Sequence, residues 1–537
     1  MSSEPNIYLD NLALVECLKH AAGSNVNPEL AKKAEDQLKV WNDYYLVDGT
    51  LHKAYQEVYL DLSNDINIRW LAIINFKRIV EQKWKAIPMD AKLEIRSKIL
   101  NNLDEYNKNL CMQNALAIRV MVRQDFPAQW ESMLDDFNQV LTNIYMNIQN
   151  NPLNSVEKIK LYNILLILNQ VVKIVASARI GKCKIVFQEK SEMFFNILYQ
   201  IYSNYSQIWI SNLEQDSLNE DDMLEAMNIS YICSKVLRVV MTDGFKQPYL
   251  NENCNSLFDM MIKHFFNLIK DKQFFSKSLN KYPILRKITI GFLKTLMRFK
   301  GSWDNDIYKL LLFNTEIVDS LIIQIIQFLN TQGEFIYITS SESDLSEVHE
   351  IFYKIGVNFF QLLKPIVQYC SPDNKITLTK YKSDMERMKA IKANLDSNIF
   401  SKIDFILQSI NSLEQFYLKL TQQDLELIVE DPEEWANDDL AADPSFNIRK
   451  AGEVFFCTIL AFYKENTEVV LMERLNAVDP TSTNDYLGLD ALYTMFESSV
   501  EKLSSKADID NIICNVLFPL VPFESSSKQI DDIYKIV

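Results

Sequence analysis

Four histidines, at 20, 52, 264 and 349, stand far apart, with no HExxH or other metal-ligand spacing. Each reads as an ordinary surface or packing residue. Eight cysteines occur, at 17, 111, 183, 233, 254, 370, 457 and 514, and no CxxC knuckle is among them. That argues against a zinc site and for scattered buried thiols in a reducing compartment. No two of the 10 glycines lie closer than ten residues, so a P-loop, a dinucleotide fingerprint and a GxSxG elbow are all excluded. Carboxylate pairs such as Asp221-Asp222 are commonplace in an acidic chain. No catalytic constellation stands above this background, so the expectation is a non-enzyme without cofactor or metal. The remaining chemistry is charge. Glu430 to Asp443 reads EDPEEWANDDLAAD, seven acids in fourteen residues around Trp435. It is either a solvated loop or an acidic insertion contacting a basic partner through Glu433, Glu434, Asp438 and Asp439.

The elements that must carry these residues are helices. Only 10 Gly and 14 Pro occur in 537 residues, too few for the turns of a sandwich, barrel or doubly wound sheet. Leu161, Ile164, Leu165, Leu168, Val172 and Val175 follow i, i+3, i+4, i+7 spacing, and Tyr162, Leu166, Ile167 and Val171 make the other faces apolar too. A helix greasy on most sides needs neighbours on most sides. Phe194, Leu198, Ile201, Tyr205 and Ile208 form a second stripe, and Leu321, Ile325, Phe328 and Leu329 a third. Breaks recur about one helix apart, near Asn25–Pro28, Asp61–Asn67, Ile87–Asp90, Asn107–Asn109, Phe126–Pro127 and Asn150–Asn154. Later breaks fall near Gly181, Ser217–Asp222, Asp243–Pro248, Lys281–Pro283 and Gly301–Asp304. Two helices make a unit of about 40–45 residues, the period of HEAT and armadillo arrays. The alternative is a non-repeating all-α protein.

Local signals refine the boundaries. Asn27-Pro28 places a cap before a proline at the first helical position. Asp90 is expected to cap a helix running to about Tyr106. Pro127 ends the helix that begins near Leu110. Polar segments at 339–347 and 371–389 interrupt the pacing. The aromatics (11%) fall at helical spacing, as in Phe455, Phe456 and Phe462, and are expected in the core rather than in a stacking platform.

The net charge is −16, which disfavours broad binding to nucleic acid or anionic membranes and suits basic partners, although local patches can break that rule. Met1 to Asp10 lacks the pattern of a secretory signal. Met193 to Leu213 is uncharged but too polar for a bilayer. A soluble protein of cytosol or nucleus, without membrane insertion, is expected. The end of the chain, 523–537, shows no capping segment, so a fragment or a truncated product is expected.

The first 130 residues carry a resemblance. Ala31 to Trp41 reads AKKAEDQLKVW, and a helix ending VYLDLSNDINIRW leads into Ile68 to Lys77, IRWLAIINFK, and on to Trp84. Asp125, Phe126, Pro127 and Trp130 form a DFPxxW element. These features resemble the N-terminal domain of the importin-beta (karyopherin-beta) superfamily, with its AExxL…W helix, IRxxAaixLKN…W helix and DyPxxWp turn. Asp431-Pro432-Glu433-Glu434-Trp435 followed by Ile448-Arg449 resembles the DPxE…R element of the middle repeats. Together with Ser177 to Cys183 the pattern is most similar to the importin eleven branch. The LKN triplet is altered here to Phe76-Lys77-Arg78.

The resemblance implies an all-α HEAT-repeat solenoid, a right-handed superhelix of antiparallel helix pairs, about half of the family's length. It implies an importin N-terminal domain over 1–135, middle repeats over 136–338 and further repeats over 339–537. It implies a monomeric nuclear import receptor, shuttling between cytoplasm and nucleus, that releases protein cargo, basic by charge, when Ran-GTP binds, and that meets Phe-Gly nucleoporins at the pore. An exportin of the same family and a HEAT scaffold without Ran binding are the alternatives. Ran would dock on inner helices near 67–85, 110–125 and 157–176, with Asn75, Lys77, Arg78, Arg119, Arg123 and Lys173 as its contacts. Trp41, Trp70, Trp84 and Trp130 also read as packing residues, and Arg69 and Asp125 as ion-pair partners between repeats.

Overall fold

The computed structural model describes residues 8–22, 27–177, 181–213, 218–300, 307–338, 345–371, 384–478, 485–503 and 509–514. Among these residues every regular element is a helix. The chain divides into two compact units, 1–246 and 247–537.

The first unit contains α1 (Asn11–Ala22), α2 (Pro28–Tyr45), α3 (Thr50–Leu60), α4 (Ile66–Lys83), α5 (Met89–Lys98), α6 (Lys108–Asp125), α7 (Met133–Asn150), α8 (Ser155–Ala176), α9 (Gly181–Leu213) and α10 (Glu220–Val239). Helices α4, α6, α8 and α10 pack side by side in one row. Helix α3 lies behind α4, α7 behind α8, and α9 behind α10. This is the stacked-hairpin arrangement of a HEAT solenoid, in which each pair buries its apolar faces against its neighbours. Helix α8 shows why such stacking is needed. It is long and apolar enough to cross a membrane, yet 72% of its apolar window is buried inside the unit. The stripe from Leu161 to Val175 and the flanking Leu166, Ile167 and Val171 are all buried, as the all-round apolar pattern requires.

The second unit contains α11 (Glu252–Ile269), α12 (Lys272–Lys281), α13 (Ile284–Lys300), α14 (Tyr308–Leu311), α15 (Thr315–Tyr337), α16 (Ser346–Cys370), α17 (Met385–Leu395), α18 (Ile403–Ser412), α19 (Gln422–Glu430), α20 (Pro432–Ala441), α21 (Ile448–Phe462), α22 (Lys464–Ala477), α23 (Tyr486–Ser499) and α24 (Ile509–Ile512). Here α13, α16, α21 and α23 form one row, and α11, α15, α18 and α22 the other.

Side-chain caps set many of the boundaries. The Asn27 carboxamide accepts from the Leu30 amide at 3.2 Å, with Pro28 opening the helix as expected. Asn107, Asn154, Asn219, Asn251, Asn314 and Asn447 cap later helices in the same way. Gly49 begins α3 with φ +84°, where a Cβ would lie 2.7 Å from the Ala91 Cβ, so a side chain is excluded twice over.

Three expectations are corrected. Asp90 does not cap α5: Pro88 holds that position, no side chain caps there, and Asp90 sits in the first turn. Helix α5 ends at Lys98 rather than near Tyr106, because 99–104 turn on short backbone bonds such as Ile99 N to Arg96 O. The acidic block 430–443 is not a loop. Asp431 caps Glu434 N at 2.9 Å, Pro432 starts a helix, and α20 runs to Ala441. Of the polar segments expected at 339–347 and 371–389, residues 339–344 and 372–383 lie outside the described residues, as do 178–180, 301–304 and 523–537, while Ser346 already opens α16 and Met385 opens α17.

Candidate functional site

The site is built on the first hairpins. Asp125, at the C-terminus of α6, is 1% exposed and gathers three donors. The Trp84 indole donates to it at 2.6 Å, the Arg96 guanidinium pairs with it, and Lys92 lies 3.5 Å away. Arg96 also donates to Gln129 O at 2.8 Å and stacks over Trp130, 4.8 Å from the ring centroid. One carboxylate thus binds the end of α4 (Trp84), the face of α5 (Lys92, Arg96) and the DFPxxW turn. Arg69 does the same between α4 and the 99–107 turn, pairing with buried Glu105 and donating to Tyr59 O at 3.0 Å. Arg69 and Asp125 are therefore each held in a buried ion pair, Arg69 with Glu105 and Asp125 with Arg96, and neither is open to a ligand. Trp41 and Trp84 are buried, and Trp70 and Trp130 half-buried. Lys92 and Arg96 were missed from sequence. Their signal was present: cations four apart, interleaved with Ala91, Ile95 and Ile99 on an otherwise apolar face.

With that frame fixed, the helices expected to be inner lie within a residue or two of their expected bounds. On α4 the open face passes through Asn67, Leu71, Ile74 and Arg78. On α6 it passes through Met112, Leu116, Arg119 and Arg123. On α8 it passes through Tyr162, Gln170 and Lys173, and Gln170 reaches the Met112 sulfur at 4.0 Å, so the open faces of α6 and α8 look the same way. Arg78, Arg119 and Arg123 are exposed and have no hydrogen-bond or ion-pair partner among the described residues. Lys173 is half-buried and has a partner of its own. Lys77 and Asn75 sit on opposite flanks of the α4 face, half-buried, and the Asn75 carboxamide donates back to Leu71 O at 2.8 Å. Of the six residues, Arg78 on α4 and Arg119 and Arg123 on the adjacent α6 are thus exposed, and Lys173 lies at the edge of the α6–α8 face.

Cations on the α3–α5 side are treated differently. Lys53 and Lys98 are held by Glu94 and Glu57 at 3.0–3.3 Å. The hydrogen bond from Asn11, with lesser help from Lys98, holds the Glu57 carboxyl below its usual range. Positive charge is neutralised there and left uncompensated on the α4–α6 face.

The acidic residues divide in a similar way. Glu433, Glu434 and Asp438 are exposed on α20, which buries no residue. Asp439 faces inward and pairs with Arg449 at 3.0 Å and Lys450 at 2.8 Å. Arg449 also reaches Asp490 at 3.4 Å and Leu418 O at 2.9 Å. Burial pushes the Asp490 carboxyl up to about 6 despite that arginine. A further feature, not legible from sequence, is a cleft of about 580 Å³ between the ends of α7, α9 and α10, lined by Ile148, Leu153, Ile208 and Leu218 among others.

Comparison with known proteins fits this geometry. The family model described as the importin-beta N-terminal domain matches residues 34–105, the segment spanning α2 to the turn after α5. Residues 34–105 are thus an importin-beta N-terminal domain, and the chain is similar to importin-beta relatives well beyond it. It is 28% identical over 525 residues to the importin beta-like protein KAP120 of Saccharomyces cerevisiae, covering 95% of this chain and 47% of that one. It is 24% identical over 507 residues to human Importin-11, covering 91% and 47%. The chain therefore spans about half the length of these relatives. Among solved structures, Lph2, titled a bidirectional nuclear transport receptor in S. cerevisiae, matches with a TM-score of 0.76 and 25% identity over 97% of this chain and 47% of that one. The exportin Cse1 in its cargo-free, cytoplasmic state matches in fold, with a TM-score of 0.54, 14% identity and coverage of 98% and 52%.

Proposed function

We propose that this chain acts in nuclear transport, binding Ran-GTP on the α4–α6 face and releasing import cargo in response. The observation that carries the reading is the row of exposed, unpaired Arg78, Arg119 and Arg123 on adjacent helices of an N-terminal importin domain. On a chain of net charge −16, such a face is a local attractor for an acidic protein surface, and its long-range field raises the association rate more than the final affinity. Acidic surface elsewhere suits basic cargo. Coupling requires that Ran and cargo prefer different pitches of the stacked helices, so that each lowers the affinity of the other. A shuttling distribution between cytoplasm and nucleus accompanies this role. The cleft beside Leu153, which is 91% exposed, has the apolar, shallow character expected of a slot for Phe-Gly repeats.

A second reading draws on Lph2, a bidirectional nuclear transport receptor: the chain carries export cargo as well, with Ran and cargo bound together. A pull-down separates the readings. The immobilised chain is expected to retain Ran loaded with GTP and not with GDP. Cargo lost on adding Ran-GTP marks import, and cargo gained marks export. Arg78→Glu with Arg119→Glu is expected to weaken retention at least about tenfold, as for a complementary charge contact. Lys77→Glu, on the flank, has a smaller effect. Retention of neither nucleotide form refutes the transport reading and favours a scaffold. Unchanged affinity in a helical double variant refutes the assigned face.

A further inference from the structure

Residues 270–300 hold nine Lys/Arg and one acid, Asp271, a net charge of +8 inside a chain of −16. Asp271 is occupied as the cap of α12, accepting from Gln273 N at 2.8 Å and Phe274 N at 3.1 Å. The cations are ordered on α13. Lys287, Lys294 and Arg298 are separated by seven and four residues, which puts them on one line, spaced roughly 10 Å and 6 Å apart along the axis. All three are exposed, while Leu285, Ile288, Phe292, Leu296 and Phe299 bury the opposite face. Lys287 and Lys294 make no ion pair or hydrogen bond among the described residues. Lys277 is exposed on the adjoining α12. By contrast Arg286, rotated about 100° from the line, is held by Glu347 and Glu350 of α16, each at 2.9 Å. The unit therefore neutralises the cation that faces its neighbour, while Lys287 and Lys294 face out with no counter-ion among the described residues. Such like charges repel one another and are not needed for packing.

We propose that the exposed face of α13, through Lys287, Lys294 and Arg298, binds an acidic polypeptide segment. The chemistry favours protein carboxylates over a nucleic acid. A helical segment with Asp or Glu at i, i+7 and i+11 repeats the same spacings. No aromatic side chain within 270–300 is fully exposed for base stacking. This face is distinct from the α4–α6 surface and from α20, and does not rest on the transport reading.

The test is fluorescence anisotropy on the full chain with three labelled probes at about 50 and about 150 mM salt. The probes are an Ala/Glu helical peptide with that spacing, the same peptide with Gln for Glu, and single-stranded oligouridylate of similar length. The Glu peptide is expected to bind and the Gln peptide not. Lys287→Glu with Lys294→Glu and Arg298→Glu lowers affinity at least about tenfold and flattens the salt dependence. Arg119→Glu with Arg123→Glu changes it less than about twofold. Lys287→Gln with Lys294→Gln gives an intermediate loss and serves if the reversed variant does not fold. The proposal is overturned if the Glu peptide does not bind, if the α6 variant loses as much as the α13 variant, or if oligouridylate binds more tightly than the Glu peptide.

Discussion

Replacing Asp125 with Ala tests the frame on which the N-terminal face depends. Asp125 is 1% exposed at the side chain, and Lys92 and Arg96 are each 5% exposed. The substitution removes the one carboxylate near two buried cations and leaves the Trp84 indole without its acceptor. Breaking a buried ion pair from one side costs about 3–5 kcal/mol, because the stranded charge stays out of water. For a unit of this size that corresponds to a melting shift of roughly 6–20 °C. The cost belongs to the stranded charge rather than to a cavity. Asp125→Leu combined with Lys92→Met and Arg96→Met should therefore recover most of it, ending within about 1–2 kcal/mol of the parent. Urea unfolding followed by tryptophan fluorescence reads the effect, since Trp41, Trp70, Trp84, Trp130 and Trp209 all lie in the first unit. Asp90→Ala, in the first turn of α5 but not at its cap, is the control and should move stability by no more than about 0.5 kcal/mol. A loss below about 1 kcal/mol for Asp125→Ala, or a triple variant as unstable as the single, refutes the account.

On α20, Glu433→Gln with Glu434→Gln and Asp438→Asn should weaken a basic partner and flatten its salt dependence without changing stability. Asp439→Asn should instead lower stability by about 1–2 kcal/mol, through its bonds to Arg449 and Lys450; equal behaviour of the two sets would show that the inward and outward acids are not distinct. Acid should act on His52 and Asp490 in opposite senses. Burial lowers His52 to about 4, so below its ordinary value of 6.5 the unfolded chain takes up a proton the folded one refuses. Stability from His52 is lost as pH falls from about 6.5 towards 4, and His52→Leu should flatten that limb. Asp490, raised to about 6, favours the folded state at low pH and loses that contribution as pH rises from 3.8 to about 6. Asp490→Asn should remove this opposite slope in equilibrium unfolding across the window.

The legibility of the site followed the range of the interactions. The α4, α6 and α8 helices could be bounded to within a residue or two because apolar period, asparagine caps and Pro127 act over one turn of chain. Asp90 misled for the same reason. A capping residue type stood beside a proline, and only the backbone decided that Pro88 takes the cap. The acidic block misled because its composition resembles a solvated loop, whereas Asp431 capping and Pro432 at the first position start a helix that Asp439 anchors to Arg449.

Which charges are available was not legible at all. Arg96 and Arg119 look alike in a sequence. One is neutralised by a carboxylate 29 residues on. The other finds no partner among the described residues. The same contrast separates Arg286 from Lys287, adjacent in sequence and about 100° apart on the helix. Sequence alone determined that this chain is a stack of long helices with an importin-type beginning, since periodicity, caps and motif spacing are local properties of the chain. Tertiary packing alone decided which side chains remain free to meet a partner. Neutralising a charge takes an opposite charge within about 4 Å, and only folding brings residues that distant in sequence so close.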